Sequence, residues 1–162
     1  SFQMTGEIAA SGNVNSMINY APLSDACFYC LFQSCDSLIT APELPAMTLA
    51  DNCYNSMFWE CTSLTKVPEL PAKQLANRSY ESMFYGCTSL TKAPDLPAKT
   101  LKESCYGYMF ENCTMLNNPP IIDAENLAKS CCNFMFSGCT SLTKTPPVTA
   151  YATGSSVIGC RP

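Results

Sequence analysis

A repeat of 26 residues constrains this chain more than any other feature. It runs from about Cys27 to about Pro147. The tetrad Cys-x-x-Leu marks it in register at Cys35/Leu38, Cys61/Leu64, Cys87/Leu90, Cys113/Leu116 and Cys139/Leu142. Self-similarity at a fixed period of this size means that each repeat is one small unit, unable to bury its apolar face except against the units before and after it. The chain is therefore expected to divide into a cap and degenerate half coil at 1–26, five coils at 27–148, and a tail or cap at 149–162. Ile18 and Leu23 match the spacing of Leu44 and Leu49, which makes Asn15–Ala26 the half coil.

Within one coil, Leu49, Ala50, Cys53, Tyr54, Met57 and Phe58 fall at i, i+1, i+4, i+5, i+8 and i+9. This spacing reads as one apolar face of a helix over about Leu49–Trp59. Thr48 before Asp51 and Thr100 before Glu103 resemble capping boxes, and Gly86 and Gly138 stand where a left-handed helix stop is wanted. A short extended stretch follows, as in Thr65-Lys66-Val67-Pro68-Glu69-Leu70. Proline removes a ladder donor, so any strand there must be short. One helix and one strand per coil predict an α/β solenoid, right-handed, with short parallel strands on one face and short helices on the other.

Twelve cysteines stand in the chain. Most form two periodic ladders: Cys35, Cys61, Cys87, Cys113, Cys139, and Cys27, Cys53, Cys105, Cys131, with Ser79 in the missing rung. Neighbouring helices about 8–10 Å apart would hold such thiols too far apart to bond, which favours small buried side chains. Ser79 also leaves two pairs open, Cys27 with Cys53 and Cys105 with Cys131.

Several functions find no support. The chain has no histidine, so neither a Ser-His-Asp nor a Cys-His constellation can form. Cys27-Phe28-Tyr29-Cys30 is a lone half-site without a second pair, and no phosphate-binding loop is present. We expect no catalytic residue, no metal and no cofactor. A net charge of −4 argues against a nucleic-acid partner. No apolar run is long enough to cross a membrane, and no signal peptide is evident in Ser1–Tyr20, so an export signal would lie upstream.

The residues Cys53-Tyr54-Asn55-Ser56-Met57-Phe58-Trp59-Glu60-Cys61-Thr62-Ser63-Leu64, continuing to Leu75, resemble the BspA-like leucine-rich-repeat family. The segment Ser11–Ile18 is similar to the lead-in of such arrays in surface proteins of gut-dwelling anaerobic bacteria. The resemblance covers about Gly6 to Val148. It implies a right-handed leucine-rich-repeat solenoid in a secreted or cell-surface protein, extracellular in location, with a role in adhesion or protein–protein contact. The repeat at Tyr106–Leu127 departs from the pattern with Met115, Asn117-Asn118 and Pro119-Pro120-Ile121-Ile122-Asp123.

Two surfaces are candidates for binding. Glu43, Glu69 and Asp95 form an acidic row, and Lys66, Lys92 and Lys144 a basic row three residues earlier. Such rows either offset each other as a wetted face or dock a partner. The position after Met-Phe varies as Gln33, Trp59, Tyr85, Glu111, Ser137. Trp59 and Tyr85 there are either half-buried covers or binding anchors. The favoured partner is a protein on a host or microbial surface. The alternatives are a carbohydrate-binding module using the aromatics, and a spacer holding other domains apart.

Overall fold

The computed structural model describes residues 7–144. The expectations for Phe2–Gly6, for Thr145–Val148 and for the tail at 149–162 lie outside the described residues.

The expected helices are absent, and the α/β solenoid with helices on one face is thereby overturned. Among the described residues the only helix is a 3-10 turn at Val14–Ile18, and the only sheet pairs β1 (Ile8–Ala9) in parallel with β2 (Leu38–Thr40). The segment Leu49–Trp59 is a succession of tight turns. Its residues alternate between two hydrogen-bonding roles, seen equally in the next repeat. Glu81, Met83, Tyr85 and Cys87 donate their N–H three residues back, to Arg78, Tyr80, Ser82 and Phe84, at 3.1–3.2 Å. Arg78, Tyr80, Ser82, Phe84 and Gly86 donate to the following repeat instead, at Glu103, Cys105, Gly107, Met109 and Glu111, with distances of 2.8–3.1 Å. An α-helix spends its interior N–H groups within itself. This backbone spends half of them on stacking one repeat, here called a rung, upon the next.

The turns need a left-handed residue every fourth position. Positive φ occurs at Asn52, Ser56 and Glu60, at Arg78, Ser82 and Gly86, and at Ser104, Tyr108 and Asn112. Gly86 and Gly138 are left-handed as expected, with φ of 68° and 74°, though neither ends a helix. For residues with a Cβ this conformation costs roughly 1–2 kcal/mol each. Replacement of Ser82 by glycine (S82G) should therefore raise stability by about 1 kcal/mol in a urea titration. The same change inside a helix would lower it by about that amount.

The capping-box reading is corrected in the same way. Asp51 Oδ1 accepts the N–H of Asn77 at 2.9 Å, one rung on, and Asp25 Oδ1 accepts that of Asp51 at 3.2 Å. These carboxylates cap turns of the next rung, not their own. The extended stretches do pair in parallel from rung to rung, at Thr40 with Lys66, Lys92 with Asn118, and Leu96 with Ile122. The prolines beside them remove donors, so the ladder shrinks to isolated bridges.

Stacking in register lines equivalent side chains into columns inside the molecule. Phe32, Phe58, Phe84, Phe110 and Phe136 stack with centroids 5.5–5.8 Å apart and planes within 8°. Phe28, Tyr54, Tyr80 and Tyr106 form a second column at 5.8–6.1 Å. Met57, Met83, Met109 and Leu64, Leu90, Leu116 are wholly buried beside them. The hydroxyls of Tyr54, Tyr80 and Ser79 are buried without a partner, a cost the apolar columns must offset.

The described cysteines are all free thiols. One ladder has a bonding role that a reading of them as small apolar residues does not give. Cys61, Cys87, Cys113 and Cys139 each donate Sγ–H to the carbonyl of Phe32, Phe58, Phe84 or Phe110 in the preceding rung, at 3.0–3.2 Å. Each of those carbonyls also accepts the N–H three residues on. The thiol therefore fills the carbonyl's second lone pair and stitches two rungs together.

Candidate functional site

On the outside of the rungs, the segments rich in proline form a groove. Every rung from the first to the third carries Pro-acid-Leu-Pro: Pro42-Glu43-Leu44-Pro45, Pro68-Glu69-Leu70-Pro71 and Pro94-Asp95-Leu96-Pro97. The leucine in each turns inward and is buried. The acid points out and is exposed. The prolines fix φ and supply no N–H, so the ladder here is cut to single bridges, such as Glu43 with Asn13 and Leu96 with Ile122.

Two adjoining hollows result. One, of about 550 Å³, is lined by Lys66, Val67, Pro68, Glu69, Lys92, Pro94 and Asp95, among others. The other, of about 470 Å³, has Ala41, Pro42, Glu43 and Pro45 on its wall. Val67, Pro68, Glu69 and Pro71 belong to both, so they form one groove across three rungs, along the direction of stacking. Its lining combines apolar rings with a few charged groups, the make-up of a binding cleft.

The structure thus brings Glu43, Glu69 and Asp95 together with Lys66 and Lys92. Ion pairs among the described residues are Arg78 with Glu81, and Lys99 with Asp123 and Glu125. None joins the groove's acidic row to its basic row, so the two rows do not offset each other by direct contact. Asp95 Oδ1 accepts the Ile121 N–H at 3.4 Å, which leaves its other oxygen open. At the fourth rung Asp123 replaces the proline of the Pro45, Pro71, Pro97 column, and Lys99 binds it at 2.7 Å. The groove ends there.

Other candidates lie apart from it. Lys144 is exposed two rungs beyond Lys92, and Asn118 occupies the rung between. Trp59 and Tyr85 sit on the turn segments and line neither hollow. Their rings stack on each other with centroids 3.9 Å apart and planes 10° from parallel. The Tyr85 hydroxyl accepts from Asn112 Nδ2 at 3.0 Å. Each ring spends one face on the other, which leaves less flat aromatic surface for a sugar than two separate rings would offer.

The prolines and Val67 of the groove were not singled out by the sequence reading, where proline served only as a strand breaker. The signal was present: two prolines three residues apart in three successive repeats. Among the described residues no three His, Cys, Asp or Glu side chains converge to hold a metal ion, and no helix is long and apolar enough to cross a membrane.

No protein-family model matches this chain, and neither a curated protein nor a solved structure matches it significantly.

Proposed function

We propose that this chain is a non-catalytic repeat scaffold of a secreted or cell-surface bacterial protein, and that it binds a protein partner through the proline-lined groove. The observation that carries this reading is the set of exposed charges in the groove, Lys66, Lys92, Glu43, Glu69 and Asp95, held over an apolar floor without ion pairs to one another. Repeated stacking gives the floor its rigidity, so little ordering entropy is lost when a partner seats on it. The resemblance of Cys53–Leu75 to the BspA-like family supports the extracellular placement and the adhesive role. A glycan-binding role at Trp59 and Tyr85 has less support, because the two rings cover each other. A pure spacer would have no use for a charged cleft.

The test uses labelled protein and whole microbial or host cells. Reversal of the acidic row, by Glu43→Lys, Glu69→Lys and Asp95→Lys together, should lower cell binding by about tenfold or more while the melting temperature stays put, since exposed charges contribute little to stability. Protease treatment of the cells should remove the binding, and glycosidase treatment should not. Binding that survives the reversal, or that glycosidase abolishes, contradicts the proposal.

A further inference from the structure

We propose that Cys131 and Cys132 are a site of thiol–disulfide exchange, where a small-molecule disulfide closes the two thiols into a vicinal disulfide and so loosens the fifth rung from the fourth. The pair lies on the turn segment of the fifth rung and lines neither hollow of the groove.

Three observations single out this pair. First, Cys132 breaks a column. Phe28, Tyr54, Tyr80 and Tyr106 hold its position in the preceding rungs, while Cys131 continues the ladder of Cys105. The change sets two buried thiols side by side, with Sγ atoms 3.9 Å apart. Rotation about the side-chain bonds can bring them to the roughly 2.0 Å of a disulfide. Second, the Cys132 Sγ–H donates to Cys131 Sγ. That hydrogen bond favours a thiolate at Cys131 and lowers it to about 7, whereas burial raises Cys105 and Cys139. Third, the peptide between the two cysteines carries the Cys131 carbonyl, which accepts the Tyr106 N–H at 2.8 Å and ties the fourth rung to the fifth. A vicinal disulfide closes a small ring through that peptide. Adjacent Cα atoms are about 3.8 Å apart, short of the roughly 4.4–6.8 Å usual across a disulfide. The ring is therefore strained, tilts the carbonyl away from Tyr106, and is readily reduced again.

The exchange runs in two steps. The Cys131 thiolate attacks one sulfur of the disulfide RSSR, forming a mixed disulfide and releasing RS⁻. That RS⁻ takes the Cys132 proton, and the new thiolate attacks the Cys131 sulfur and expels the second RS⁻. The two cysteines are oxidised and RSSR is reduced to two thiols, the last proton being the one Cys131 shed on ionising. Both thiols are buried, so exchange waits on local opening of the fifth rung. Among the described residues that rung stacks on the fourth alone, and its opening breaks one interface where an inner rung would break two.

The experiment treats the intact, reduced chain with 2-hydroxyethyl disulfide at about pH 8, without denaturant, and maps the cysteines by mass spectrometry. Chymotrypsin cuts after Tyr106, Phe134 and Phe136, which parts the pair from Cys105 and Cys139. The peptide that holds Cys131 and Cys132 should lose two hydrogens, keep no hydroxyethylthio group, and react at least about tenfold faster than any other buried cysteine. On oxidation the Tyr106 amide should exchange with solvent deuterium about tenfold faster, and a monothiol should restore the slow rate. Cys132→Ser (C132S) should instead trap the hydroxyethylthio group on Cys131. Cys132→Tyr (C132Y), which continues the aromatic column and removes the hydrogen bond between the thiols, should abolish the fast reaction. The inference is overturned by a pair still reduced after the half-buried Cys27, Cys30 and Cys35 have taken up the probe, by a disulfide from Cys131 to Cys105, or by Tyr106 exchange that oxidation leaves unchanged.

Discussion

Raising the pH to about 10 under reducing conditions should unfold this protein, even though it carries no histidine and few of its carboxylates are paired. Burial pushes the Cys53, Cys61 and Cys105 thiols up to about 12 and Cys139 up to about 11. It also pushes Cys87 and Cys113 well above the ordinary value. A group whose folded value is raised stabilises the fold fully below its unfolded value. That contribution drains away as pH climbs toward the folded value. The window here opens near 9, where unfolded thiols begin to ionise, and extends to about 12. One unit above 9, each of these thiols favours the unfolded chain by about 1.4 kcal/mol, and the six together by about 8 kcal/mol. That is comparable with the whole stability of a typical domain. Cys131 works in the opposite direction: the hydrogen bond from Cys132 lowers it to about 7. Its depression by about two units offsets about 2.7 kcal/mol by pH 10, still well below what the six remove. Tyr54, Tyr80 and Tyr106, all raised by burial, add to the loss above 10. Urea titrations at a series of pH values should show stability falling steeply beyond 9, with several protons released per molecule unfolded. A flat profile would mean that the thiol ladders are open to water.

Truncation of Phe84 to alanine should cost about 3–5 kcal/mol. Phe84 is wholly buried in the middle of its column, 5.6 Å from Phe58 on one side and 5.6 Å from Phe110 on the other. Removal of one ring leaves a cavity and ends two stacking contacts. The two rungs cannot close over the gap, because backbone bonds such as Tyr80 to Cys105 and Gly86 to Glu111 hold their spacing. Since the stability of stacked repeats is a sum of neighbour interfaces, the loss should also uncouple the halves on either side. Denaturation followed by fluorescence of Trp59, on the N-terminal side, should then separate from denaturation followed by circular dichroism. A loss under about 1 kcal/mol, with one shared transition, would place Phe84 outside a packed interior.

The period, and with it the identity of the buried residues, was legible in the sequence. Cys53, Tyr54, Met57 and Phe58 are all wholly buried, as their recurrence demands. The local conformation was not, because apolar pairs every fourth residue fit two structures. A helix turns 3.6 residues per cycle, so a strict four-residue period drifts around it. Six apolar positions holding that period over one rung already favoured a four-residue turn. A second signal lay in the residues at the left-handed positions. Asn52, Ser56, Ser82, Gly86, Asn112 and Gly138 are mostly the small or amide types that tolerate positive φ. The charge rows of the groove were also legible, as equivalent positions in successive repeats. The absence of ion pairs between them was not, because it depends on how far the side chains reach. Nor was the Trp59–Tyr85 stack, since adjacency across rungs does not give ring orientation.

The claim beneath all of this is that alternate N–H groups of each turn segment bond to the next rung and not along their own. Scalar couplings transmitted across hydrogen bonds, read by nuclear magnetic resonance on isotope-labelled protein, report the acceptor of each amide directly. The amides of Tyr80, Ser82, Phe84 and Gly86 should couple to the carbonyl carbons of Cys105, Gly107, Met109 and Glu111. Couplings instead to the carbonyls four residues back, at Ala76, Arg78, Tyr80 and Ser82, would show a helix and contradict the account.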